Sequence, residues 1–141
     1  MGEIQPASLS QLSDEELKAC FFSRQKIAYT KGLARVILSK DISLEKFDDL
    51  HDDVVRAELK KLKGIGDWTV DIYLIHALNR CDIFPVGDLA LVNAIKMITE
   101  RAILTKEELH NIALPWKPYR SIATMMLWHY YIRKKNIKLL H

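Results

Sequence analysis

LKGIGDWT, Leu62 to Thr69, sets two glycines around one isoleucine and follows them with residues suited to start a helix. Glycine reaches positive φ and lets another backbone come close, so Gly64 and Gly66 allow two helices to join through a very short hairpin. Ile65 between them is placed to plug the angle where the helices meet. The amides near Ile65 to Trp68 open the second helix without intrahelical partners and carry the positive end of its dipole, an anion site that fits a phosphate. Lys60, Lys61 and Lys63 stand beside the hairpin and add salt-sensitive attraction for a nucleic-acid backbone. The same letters also suit a glycine-ended helix followed by an ordinary turn, with the lysines on a solvated face.

Outward from the hairpin, apolar spacing and caps lay down a series of helices. A helix from about Asp52 buries Val55, Leu59 and Leu62, and after the glycines Trp68, Ile72, Ile75 and Asn79 form one stripe of a helix ending near Arg80. Further upstream, Ser13-Asp-Glu-Glu16 reads as a capping box opening a short helix through about Cys20. Ser23 caps a longer helix with Ile27, Ala34, Ile37 and Leu38 on one face, and a short helical turn follows from Ser43. Downstream, Pro85 and Gly87 mark residues 81–88 as a loop, and LALVNAIKMI resumes helix after Asp88. Thr105-Lys-Glu-Glu108 is a second capping box, and Pro118 suits the first turn of a last helix through about Lys134. With no alternating strand and no repeat, the pattern predicts a single all-α domain over 1–141, its hairpin spanning about 54–79.

Composition narrows the partners. A chain of 141 residues with 49% apolar content can bury a core, and its net charge of +3 permits nucleic acid without demanding it. No apolar run approaches the ~18 residues of a bilayer span, so no membrane partner is expected. Two cysteines, Cys20 and Cys81, are too few for a disulfide framework or a thiolate metal site and read as reduced thiols of a cytoplasmic or nuclear protein. The five histidines show no paired metal spacing, so no metal site is expected; His129, beside Trp128, is the one placed for a pocket role.

LKGIGDWTV resembles the helix-hairpin-helix motif of the HhH-GPD base-excision DNA glycosylases. FPVGDLAL, with Asp88 twenty residues after Trp68, resembles the loop and catalytic aspartate of that superfamily. LPWKPYRSIATMMLWHYY resembles the closing helix of its 3-methyladenine DNA glycosylase II branch. The similarity begins near Pro6 and corresponds to the C-terminal portion of the family domain. Phe21-Phe22 stands before Ser23 where relatives often have glycine.

The resemblance implies an enzyme that hydrolyses the N-glycosidic bond of alkylated bases in double-stranded DNA. A carboxylate near the sugar stabilises the positive charge that builds there, which gives Asp88 the catalytic part; simple helix capping is its structural alternative. Strand-cutting members carry a lysine nucleophile where this chain has Trp68, so the expected reaction is plain hydrolysis to an abasic site. Trp68 and Trp128 correspond to pocket aromatics, Tyr73 is a further candidate, and an indole attracts a cationic alkylpurine by about 1–2 kcal/mol when desolvated. Lys60, Lys61, Lys63, Gly64, Ile65, Gly66 and Asp67 would hold the DNA backbone, and the hairpin carbonyls of relatives also bind a monovalent cation. Trp116, Tyr119 and Arg120 read as packing residues, Arg120 in an ion pair. The family's further upstream helices do not precede Pro6 here. Apolar faces around Ile27 to Leu38 and Trp68 to Ile75 are therefore expected to be covered by a homodimer or a second chain; the rival reading is a non-catalytic DNA-binding module.

Overall fold

The computed structural model describes residues 4–137, which are helical with no strand among them. The chain divides into two compact units, and the boundary falls inside the glycine hairpin, between Ile65 and Gly66.

In the first unit, α1 (Pro6–Gln11) and α2 (Asp14–Ala19) lie against the long α3 (Arg24–Leu38). A 3-10 turn (Leu44–Asp49) then leads to α4 (Asp52–Lys60). The capping box of α2 forms as spelled: the Glu16 amide donates to Ser13 Oγ at 3.1 Å and the Ser13 amide donates to Glu16 Oε2 at 2.8 Å. Ser23 caps α3 through the Lys26 amide. Ile27, Ala34, Phe47, Val55 and Leu59 are buried, each of the larger side chains contributing about 1.5–3 kcal/mol. Two expectations need correction here, and one helix was not anticipated. Nothing in the spacing announced α1, which begins with Pro6 where a missing amide hydrogen costs nothing. Leu38, the last residue of α3, is 49% exposed, whereas Ile27 and Ala34 of the same helix are buried. Leu62 lies past the end of α4 and is only half-buried.

The second unit holds α5 (Asp67–His76), α6 (Leu89–Thr99), α7 (Lys106–Ala113), a 3-10 turn (Leu114–Trp116) and α8 (Arg120–Lys134). α6 packs on α8 over a core of Phe84, Leu91, Ala94, Ile95, Leu109, Ala113 and Leu127, with Trp116 and Trp128 against it. The capping box of Thr105 and Glu108 starts α7 as expected. The stripe expected on α5 does not hold. Val70, Leu74 and Ile75 form its buried face with Asp71, whereas Trp68 is half-exposed and Ile72 half-buried. The helix ends at His76, four residues before Arg80, and Asn79 turns out of it at φ 51°. α8 likewise starts two residues after Pro118, with Tyr119 as its cap, so the proline precedes the helix and does not occupy its first turn.

Candidate active site

Residues 77–88 carry the chain from α5 to α6, and residues 80–83 among them are fastened to the start of α8. Arg120 donates from Nε to Asp82 Oδ1 at 2.6 Å and from Nη2 to Oδ2 at 2.9 Å, the ion pair expected of it. This bidentate contact holds the Asp82 carboxyl below its ordinary range. Ser121 adds a second fastening: its hydroxyl donates to the Arg80 carbonyl at 2.6 Å and accepts from the Ile83 amide at 2.9 Å. Trp116 packs edge-on against Phe84, while Tyr119, expected to pack, is 60% exposed.

The loop then tightens, the Asp88 amide donating to the Pro85 carbonyl at 2.9 Å, and delivers Asp88 to the N-cap of α6. Three N–H groups meet its carboxylate. The Leu91 amide donates to Oδ1 at 2.8 Å, the Trp128 indole to Oδ1 at 3.0 Å, and the Trp68 indole to Oδ2 at 2.7 Å. Asp88 is 7% exposed. An ionised carboxylate only accepts hydrogen bonds and offers about four positions, so three donors fix its orientation and leave one position, on Oδ2. Trp68, Gly87, Asp88, Leu89 and Ala90 line a cleft of about 260 Å³ in front of it.

Capping and site geometry thus coincide in Asp88, and three residues singled out in the sequence, Asp88, Trp68 and Trp128, come together across 60 positions of chain. Of the three expected pocket aromatics only Trp68 lines the cleft: Tyr73 is half-buried on α5, and Trp128 reaches Asp88 through its indole N–H without lining the cleft. His129 is exposed and makes no part of this arrangement; His76 instead stacks on Trp128, ring centroids 5.7 Å apart and planes within 16°. No spacing in the sequence pointed to His76, because α5 and α8 carry the two rings 52 residues apart.

The hairpin's own geometry follows from Gly64, at φ 94°. A β-carbon there would lie 2.3 Å from the ring of Tyr29 on α3, so the glycine is required twice, by its dihedral and by this close approach. The Ile65 amide, expected to face a ligand, instead donates to the Leu62 carbonyl at 3.1 Å and closes the turn; Ile65 itself is half-buried. Gly66 begins α5 with no side-chain cap, and the first bond of the helix ladder runs from the Val70 amide to the Gly66 carbonyl at 3.1 Å. Asp67, in that first turn, suits the helix dipole but would repel a phosphate, so any contact from this residue would come through its backbone. Lys63 is exposed, Lys60 ends α4, and Lys61 is paired with Glu58 at 2.6 Å. Beside them, α3 and residues 61–65 line a groove of about 630 Å³ that includes Arg35, Lys61 and Lys63 and no carboxylate.

An all-helical chain with a glycine hairpin and an aspartate capping the helix that follows is the arrangement that the resemblance to the helix-hairpin-helix DNA glycosylases implies. The 3-methyladenine DNA glycosylase Mag1 of Schizosaccharomyces pombe, solved with abasic DNA, superposes with a TM-score of 0.83 at 28% identity, over 97% of this chain and 66% of its own. A DNA-3-methyladenine glycosylase of Bacillus subtilis is 31% identical over 121 residues, 85% of this chain and 40% of that protein. An alkylbase DNA glycosidase-like protein of S. pombe is 32% identical over 125 residues, 87% of this chain and 59% of its own length. The chain belongs to the HhH-GPD superfamily of DNA glycosylases, close to the 3-methyladenine glycosylases. It spans roughly half the length of the curated relatives it matches. No protein-family model matches it.

Proposed function

We propose that the chain supplies the hydrolytic centre of an alkylbase DNA glycosylase, releasing bases of the 3-methyladenine type from duplex DNA. The observation that carries this reading is the Asp88 carboxylate, held by three N–H donors with one acceptor position left on Oδ2. As the glycosidic bond lengthens, positive charge develops on the deoxyribose, and a carboxylate already fixed in place stabilises it without reorganising. The same oxygen can orient a water for attack at the anomeric carbon. Trp68, half-exposed at the cleft, offers an indole face to a cationic base turned out of the stack. With Trp68 where lyases have their amine, the product is an abasic site and no covalent adduct.

DNA is the proposed partner. The uncapped start of α5 and the exposed Lys63, with Lys60 and Lys61 in the same run, suit a phosphate backbone. A monovalent cation belongs to the same proposal: the Leu62 carbonyl accepts the Ile65 amide and keeps a second lone pair for it.

Association with a second copy or another chain is also part of the proposal. Within the expected faces Ile27, Ala34 and Ile75 are buried while Leu38 and Trp68 are exposed, and α8 adds exposed Ile122, Met125 and Met126. Sedimentation at micromolar concentration reports self-association directly, and a monomer at every concentration removes the second-copy form of the proposal.

Incubation with duplex DNA carrying methylated purines, followed by chromatography of released bases, tests the activity. Free 3-methyladenine is expected, and borohydride should trap no protein–DNA adduct. Binding without release would leave the non-catalytic DNA-binding module as the correct reading.

A further inference from the structure

We propose that His76 is a positioning residue of this site, holding the Trp128 indole in the plane from which its N–H reaches Asp88. The inference rests on the glycosylase reading for its consequence in catalysis, but its geometry stands apart from it.

Trp128 makes one directional contact with the carboxylate, at 3.0 Å, on an oxygen that it shares with the Leu91 amide. An N–H bond weakens steeply as its angle opens, so a small swing of a half-buried indole would lose it. His76 opposes that swing. Its ring lies nearly parallel to the indole at 5.7 Å, within the range of favourable offset stacking. The backbone that carries the imidazole is held at the end of α5: the Ala77 amide continues the helix ladder to the Tyr73 carbonyl at 2.8 Å, and the Leu78 amide closes on the same carbonyl at 3.2 Å. His76 is exposed, so burial in the core does not account for where its ring lies.

α5 therefore acts on the carboxylate from both ends. Its first turn sends Trp68 directly to Oδ2, and its last residue braces Trp128, which bonds Oδ1 from α8. The stack also covers one face of Trp128, while Trp68, which lines the cleft, keeps its exposed half.

The test compares His76→Leu, which keeps bulk without a flat ring, with His76→Phe, which keeps the flat ring. Two-dimensional ¹H–¹⁵N spectra of the ligand-free protein report the indole N–H of Trp68, Trp116 and Trp128 separately. In His76→Leu the Trp128 resonance should move toward that of a free indole, and in His76→Phe it should stay. Base release from methylated duplex should fall about tenfold in His76→Leu at unchanged DNA affinity, the worth of one hydrogen bond to a charged group, and recover in His76→Phe. An unmoved Trp128 resonance in His76→Leu overturns the proposal. If the resonance moves as expected while the unaltered protein releases no base, the positioning role stands and the glycosylase reading fails.

Discussion

Asp88 serves the fold and the proposed chemistry with the same carboxylate, since Oδ1 caps α6 while Oδ2 keeps an acceptor position and the residue lines the cleft. Trp68 then has two separable properties, an indole face and an N–H donor. Trp68→Phe keeps an aromatic face and removes the 2.7 Å bond, so base release should slow by about tenfold while affinity for an abasic-site duplex changes little. Single-turnover kinetics beside a binding titration check this; equal rates would mean that only the face matters. Gly64 makes a second prediction at this scale. Gly64→Ala places a β-carbon on Tyr29 at φ 94° and should cost at least about 1 kcal/mol in thermal or urea unfolding. Tyr29→Ala in the same chain relieves the clash but not the dihedral, so recovery should be partial. The two glycines could be picked from the chemistry of their own short string, and Asp88, Trp68 and Trp128 because each sits in a string that carries the resemblance to the glycosylases. His76 and Tyr29 could not, because each acts through a ring meeting a residue 35 or more positions away.

At the scale of elements, the caps were the most legible features, for a capping box is complete within four residues: both boxes and the Ser23 and Asp88 caps form as spelled. Helix ends were less so. α5 stops at His76 because the chain there turns back on the Tyr73 and Leu74 carbonyls, and no glycine or proline in the sequence announces it. The joint between residues 80–83 and α8 is the element contact with the clearest consequence. Asp82 has a depressed pKa, chiefly from the Arg120 hydrogen bonds, so its stabilising contribution is full above the ordinary carboxylate value of 3.8 and is lost as pH falls through the lowered folded-state value. Asp82→Asn should lower stability by about 1–2 kcal/mol at neutral pH and flatten the fall of stability below about pH 4. Urea unfolding of both proteins between pH 2 and 7 measures both effects. The fall should be unchanged if the pair is no more than a solvent-screened contact.

Across the whole molecule, a net charge of +3 is too small to drive DNA binding by itself, so affinity should depend on where the cations lie. Replacing Lys60 and Lys63 by Gln should weaken binding to all sequences alike and reduce the slope of log affinity against log salt by about 1 for each phosphate left without its lysine. A defect confined to one lesion would instead place these residues at the base. All-helical character was legible from the absence of alternating strand patterns, but the division into two units was not, because the boundary between Ile65 and Gly66 lies inside the one motif that reads as continuous. The central claim is that the Asp88 carboxylate carries out base release. Single-turnover release of methylated base by Asp88→Asn, with DNA affinity measured on the same preparation, tests it most directly. The amide keeps the size of the side chain and loses its charge, so release should fall by at least about a hundredfold at nearly unchanged affinity; release at the unaltered rate would contradict the account.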